Sequence, residues 1–146
     1  MKNSKRFLMA IFGLLVFSAF GCEKEKIISE SELPTSIKIY LETHFPSCGI
    51  IRIVKEKEDN KPSFDIDLDC GINIEFYANG QVIDIDGTSK LPDSVIPDKI
   101  LDYTTTNYPD DFIIGWELEG NNQQVELNTI VVLEFDSDGN FLRTVD

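Results

Sequence analysis

The chain has 146 residues, 42% of them hydrophobic and 27% charged, and its 26 acidic residues against 13 basic ones give a net charge of −13. A field of that sign repels nucleic acid and anionic membrane, so charged partners are expected to be basic proteins or cations. The apolar share belongs to an ordered fold rather than a disordered acidic tail, and the length fits a single domain.

Residues 1–21 hold Lys2, Lys5 and Arg6, no acidic residue, and an apolar run from Phe7 to Phe17. That is the charge and length pattern of a secretory signal rather than a membrane span. The segment ends in Ser18-Ala19-Phe20-Gly21-Cys22, which resembles the lipobox of bacterial lipoproteins. The resemblance implies that Cys22 is lipidated and becomes the mature N-terminus. Acyl chains, each methylene contributing about 0.8 kcal/mol on burial, would then hold the protein on a bilayer. Beyond residue 21 there are ten basic and 26 acidic residues, a net −16. Residues 22–32, the cysteine followed by Glu23 to Glu32, read as a polar tether.

A helical pattern follows Leu33-Pro34-Thr35-Ser36, with Ile37, Leu41 and Phe45 on one face and Phe45-Pro46 closing it, because the residue before proline leaves the helical region. The period then changes to two. Strands are expected from about Gly49 to Lys57, over Phe64–Asp69, Ile72–Tyr77 and Val82–Asp86, separated by turns at Glu58–Pro62, Cys70-Gly71 and Ala78–Gly80. A second helix is expected around Ile96, Ile100 and Tyr103 or Thr104, capped by Asp93 or Ser94 with Pro97 in its first turn, and closed by Tyr108-Pro109. The strands after it are Ile113–Glu119, Gln123–Asn128, Ile130–Phe135 and Phe141–Val145, with a turn at Asp136–Gly139.

The two halves match. Leu33-Pro34-Thr35-Ser36 returns as Leu91-Pro92-Asp93-Ser94, Phe45-Pro46 as Tyr108-Pro109, Ile66-Asp67-Leu68 as Val125-Glu126-Leu127, and Glu75-Phe76 with Gly80 as Glu134-Phe135 with Gly139. The offset runs 58, 63, then 59, so the second copy is expected to gain about a helical turn and lose a few hairpin residues. The fold class is α+β: a tandem repeat over residues 33–146, copy one about 33–86 and copy two about 91–146. Each copy is a helix followed by a four-stranded antiparallel sheet, with the helices on one face of a curved sheet. The opposite face would present Asp65, Asp67, Asp69, Asn73, Glu75, Tyr77, Asp84 and Asp86 from copy one, and Glu126, Asn128, Val132 and Glu134 from copy two; Trp116 would either join them as an interface anchor or lie in the core, toward which its match to Ile53 leans.

Leu-Pro-x-Ser, a helix, Tyr/Phe-Pro and strands ending in Glu-Phe-x-x-x-Gly, all in tandem, resemble the PepSY-like lipoproteins of Bacteroidetes, a family related in fold to the beta-lactamase inhibitor protein. The resemblance covers Leu33 to Asp146 and is fuller in copy two. It implies a two-unit curved sheet in the cell envelope, without an established activity. The inhibitor relative binds its enzyme on the concave sheet face, but no residue of that role carries over.

Cys48 and Cys70 would lie opposite each other across a hairpin centred near Asp59-Asn60, and an exported chain favours a disulfide between them. Closing that loop would contribute about 3 kcal/mol. Two free buried thiols or a redox pair are the alternatives, although no Cys-x-x-Cys motif accompanies them. Asp65, Asp67 and Asp69 lie on an extended strand face, with Phe76 where a calcium loop needs a bidentate glutamate, so a dedicated calcium loop is not expected there. Asp136-Ser137-Asp138-Gly139-Asn140 reads as a hairpin turn. His44, the single histidine, lies on a helix without a nucleophile elbow or oxyanion loop.

No catalytic residue, metal site or cofactor is expected. The function expected is that of a non-enzymatic, lipid-anchored envelope protein, of the outer membrane on its periplasmic side or at the cell surface. It would bind a basic protein or peptide through Asp65, Asp67, Asp69, Glu75, Tyr77, Asp84, Asp86, Trp116, Glu126 and Glu134, possibilities of inhibition included. The alternative is an envelope sensor for a small ligand or cation. Membrane contact is expected only through the anchor.

Overall fold

Alternation of apolar and polar side chains sends every second residue of a strand to the same face, and among the described residues nine strands build one antiparallel sheet in simple chain order. The computed structural model describes residues 25–58 and 61–145. The secretory segment, Cys22 and the Asp59-Asn60 turn lie outside the described residues. The strands are β1 (Lys26–Ile27), β2 (Ile50–Glu58), β3 (Lys61–Leu68), β4 (Ile72–Tyr77), β5 (Val82–Gly87), β6 (Ile113–Glu119), β7 (Asn122–Leu127), β8 (Val132–Phe135) and β9 (Phe141–Val145). Helices α1 (Thr35–His44) and α2 (Asp98–Asn107) precede β2 and β6.

Separate sheets for the two copies do not form. β5 pairs with β6 through Asp84↔Glu117, Ile85↔Trp116 and Asp86↔Gly115, so one ladder continues from copy to copy. One apolar row runs through it: Ile53, Ile66, Ile74, Ile85, Trp116, Val125 and Leu133 stand opposite one another on successive strands. All seven are buried. Both helices cover this face, with Ile37 and Leu41 of α1 and Ile100 of α2 in the same core cluster. Tyr40 of α1 meets Phe76 edge-on at 5.3 Å, and Tyr103 of α2 meets Phe135 the same way at 5.5 Å.

Four expectations are corrected. The second helix is no longer than the first, since both have ten residues. Pro97, not Asp93 or Ser94, takes its N-cap, as Pro34 does in α1, and the residues expected to lengthen it form a separate 3-10 turn at Asp93–Val95. The cause is proline geometry: its φ near −65° suits helix entry, while the residue before it is pushed to extended backbone. The polar tether is likewise shorter than expected. Lys26 and Ile27 pair with Lys55 and Val54, Ile28 is buried, and Glu30–Glu32 form a 3-10 turn. The strand expected from Ile130 begins instead at Val132, because Ile130 occupies the turn with a positive φ of 61°.

Candidate functional site

The face of the sheet away from the helices carries two polar rows. One runs Asp65, Glu75, Asp84, Glu117, Gln124, Glu134, Arg143 from β3 to β9, and the next runs Arg52, Asp67, Asn73, Asp86, Gly115, Glu126 from β2 to β7. Carboxylates directly opposite on neighbouring strands repel one another, so how each is compensated decides what the face can do.

At both ends compensation is local. Arg52 Nε donates to Asp67 at 2.7 Å, and Asn73 donates to Asp65 at 2.5 Å and to Asp67 at 2.8 Å. Partial burial works against ionisation of Asp67, but these bonds and the Arg52 charge outweigh it and hold the carboxyl below its usual range. At the other end Arg143 donates to Glu134 through Nε at 2.7 Å and Nη2 at 2.6 Å, while Asn122 donates to it at 2.6 Å.

The centre differs. Among the described residues, Asp84, Asp86, Glu117 and Glu126 have no ion-pair partner. Burial, with Asp86, Glu117 and Glu75 nearby, pushes the Asp84 carboxyl up to about 8. Burial, with Glu119, Asp86 and Glu126, pushes Glu117 up to about 7. Asp86 and Glu126 are raised as well, chiefly by burial. Gly115 sits among them without a side chain; a Cβ there would lie 3.3 Å from Asp86 Oδ1 and 3.4 Å from Glu126 Cβ. The result is a cluster of carboxylates from β5, β6 and β7 on the open face, at the junction of the copies, with Asp86 and Glu126 closing over Gly115. A positive group placed there would relieve both the repulsion and the cost of ionising partly buried acids.

Not every residue expected on this face is there. Trp116 is a correction: it stands opposite Ile85 and Val125 on the helix side, buried, and its Nε1 donates to Gln123 Oε1 at 3.1 Å. The ladder slips between Ile113 and Gly115, which settles the parity and turns Glu117 outward in its place. Glu117 and Gly115 were therefore missed, although the match of Trp116 to buried Ile53 signalled that parity. Asp69 is a second correction, since it ends a hairpin rather than joining the open rows. Gly49 N–H donates to its Oδ1 at 2.8 Å, and its own N–H donates to Gly49 O at 2.9 Å. Tyr77 lies at the margin under Lys61, whose Nζ is 4.7 Å from the ring centroid.

The remaining motifs are structural. Cys48 and Cys70 form a disulfide with Cα atoms 5.5 Å apart. The Asp136 carboxylate accepts N–H bonds from Asp138 at 3.0 Å and Asn140 at 2.8 Å, closing the turn on itself. His44 shares a 2.9 Å hydrogen bond with Ser94 Oγ across the copies and packs on Tyr40. Among the described residues, the one group of three ligand types within 4.8 Å is Cys48, Asp69 and Cys70, and the disulfide removes its thiolates.

The sequence matches the family described as "Putative beta-lactamase-inhibitor-like, PepSY-like" over residues 21–83 and again over residues 62–143. The fold is similar to that of a "putative calcium-regulated periplasmic protein" from Bacteroides thetaiotaomicron, with a TM-score of 0.78 at 24% identity over 84% of this chain and 97% of that one. Two structures from Bacteroides vulgatus, each described as a "putative periplasmic protein", have TM-scores of 0.79. One is 27% identical over 86% of this chain and the other 25% identical over 84%, and each is covered in full. No curated protein matches the sequence. None of these descriptions names a reaction.

Proposed function

From the premise that this chain belongs to the PepSY-like family, we propose that it is an exported, lipid-anchored envelope protein that binds a basic protein or peptide on its open sheet face. The observation that carries this reading is the carboxylate cluster around Gly115, where Asp84, Asp86, Glu117 and Glu126 face outward without a cation of their own. Acids at the ends of the same rows are matched by Arg52 and Arg143. The contrast supports a lysine or arginine of a partner as the missing counter-charge. Description of the solved relatives as periplasmic supports export.

The test is fluorescence anisotropy of a labelled extended peptide containing lysine and arginine, with an isosteric glutamine-containing peptide as control. Binding that weakens with salt and is lost in Asp84→Asn/Glu117→Gln supports the reading. Equal binding of both peptides, or unchanged affinity in the variant, overturns it.

A second reading, a divalent-cation sensor, draws on the same carboxylates and on the calcium regulation ascribed to the Bacteroides thetaiotaomicron protein. It ranks below the first because these carboxylates do not converge within 4.8 Å as a preformed cation site would. A rise in melting temperature with calcium that Asp86→Asn/Glu126→Gln abolishes would reverse the ranking.

A further inference from the structure

The strand added by the tether leaves the anchored protein little slack. Cys22 lies four residues before Lys26, the first residue of β1, and four extended residues span at most about 14 Å. With Cys22 lipidated, as proposed above and as this inference requires, the β1–β2 edge is held close to the bilayer. The strands lie in chain order, so eight spacings of about 4.8 Å put β9 about 38 Å away along the sheet.

The near edge has the surface for that place. Ile27 is 72% exposed and Ile51 is 68% exposed, and they line one cleft of about 200 Å³ with Ile28, Ile50 and Ile53 and one charge of each sign, Glu30 and Arg52. Ile51 is exposed because the β2–β3 register slips between Ile50 and Arg52 and bulges it out of the ladder. Charge is divided the same way. Residues 22–61, which run from the cysteine through β1, α1 and β2 to the start of β3, carry seven basic and eight acidic side chains, whereas residues 62–146 carry three basic and 18 acidic ones. Anionic headgroups therefore repel the body of the domain and not this edge, while exposed isoleucines gain by entering the interface. We infer that the β1–β2 edge, through Ile27 and Ile51, rests on the phospholipid bilayer and holds the β9 edge away from it.

The experiment uses the mature chain, its acylation established by mass spectrometry, reconstituted in vesicles containing brominated phosphatidylcholine. Ile51→Trp and Leu142→Trp replace exposed side chains on β2 and β9, and their emission is read against that of Trp116 in the unsubstituted chain. Quenching several-fold stronger at position 51 than at 142 is expected. Ile27→Trp substitutes if Ile51→Trp does not fold. Equal quenching at both edges, stronger quenching at 142, or none in an acylated chain overturns the inference and leaves the anchoring intact. A mature chain without acyl groups that stays in solution overturns the anchoring and this inference together.

Discussion

The two copies show the same skeleton under different surface chemistry. An offset of 63 relates Pro34 to Pro97, Tyr40 to Tyr103, Phe45 to Tyr108 and Ile53 to Trp116, and it extends back through the turns at Glu30–Glu32 and Asp93–Val95 to buried Ile28 and Leu91. The clamp between Gly49 and Asp69 in copy one is repeated by Phe112 and Asn128 in copy two, where Phe112 N–H donates to Asn128 Oδ1 at 2.8 Å and Asn128 N–H to Phe112 O at 3.0 Å. Repeated positions are therefore those that hold strands to helix and hairpin to hairpin. The copies part at Cys48–Cys70, a disulfide present only in the first, and at the turn where Gly71 is matched by Ile130. Such differences alter the stability of each copy without altering its path.

The largest effect should come from the shared aromatic clasp. Phe76→Ala and Phe135→Ala are each expected to cost about 4 kcal/mol, and denaturant titration should find them equal within about 1 kcal/mol if the copies are energetically equivalent. A large difference would assign the core mainly to one copy. Removing the disulfide by Cys48→Ala/Cys70→Ala should cost about 3 kcal/mol. Amide exchange should then rise in β2 and β3 ahead of β6 and β7, and uniform loss of protection would show that the copies open as one unit.

The two arginines separate the copies next. Arg143→Ala leaves Glu134, whose side chain is 8% exposed, without its ion pair and should cost about 2 kcal/mol. Arg52→Ala breaks a pair whose members are 50% and 34% exposed and should cost less than about 1 kcal/mol. Equal costs would remove the distinction drawn between them.

Where the copies meet, stability should depend on pH. The Asp84 and Glu117 carboxyls are raised to about 8 and about 7 in the folded protein. Their contribution is thus complete below the usual carboxylate range and lost as pH rises through those values. Asp84→Asn should stabilise the protein at pH 8 by about 1–3 kcal/mol, the scale of a partly buried uncompensated group, and have little effect at pH 4. A variant whose stability curve still falls from pH 5 to pH 8 as steeply as the parent's would contradict the assignment to Asp84. The smallest effect concerns the unmatched turn. Ile130 is 85% exposed with φ 61°, a conformation costly for a branched side chain, so Ile130→Gly should stabilise by about 1 kcal/mol. In the opposite direction, Gly71→Ala should destabilise, because its Cβ would meet Thr88 Oγ1 at 2.5 Å.

Much of this was legible in the residues themselves. Perfect alternation in Phe64–Asp69 and Ile72–Tyr77 marked strands and their faces, and Asp65, Asp67, Glu75, Asp84, Asp86, Glu126 and Glu134 do stand on the open side. The Cys48 and Cys70 spacing across one hairpin marked their bond. Less legible was the start of copy two, because Leu91-Pro92 and Ile96-Pro97 both match Leu33-Pro34 in sequence and the backbone uses the later pair. The strand β1 was hidden too, since two residues carry no period and Ile27-Ile28 stands among charged neighbours.

By itself the sequence determined the duplication, the two helices, the alternating strands and their turns, since all of these follow from side-chain spacing along a local stretch of backbone. Tertiary structure decided which acids would lack a counter-charge. Asp84 and Glu117 lie 33 positions apart in different copies, and only the β5–β6 ladder sets them opposite each other. Asp67 meets Arg52, and Glu134 meets Arg143, through ladders of the same kind. Charge compensation on a sheet is a property of neighbouring strands, and no local pattern specifies a neighbour.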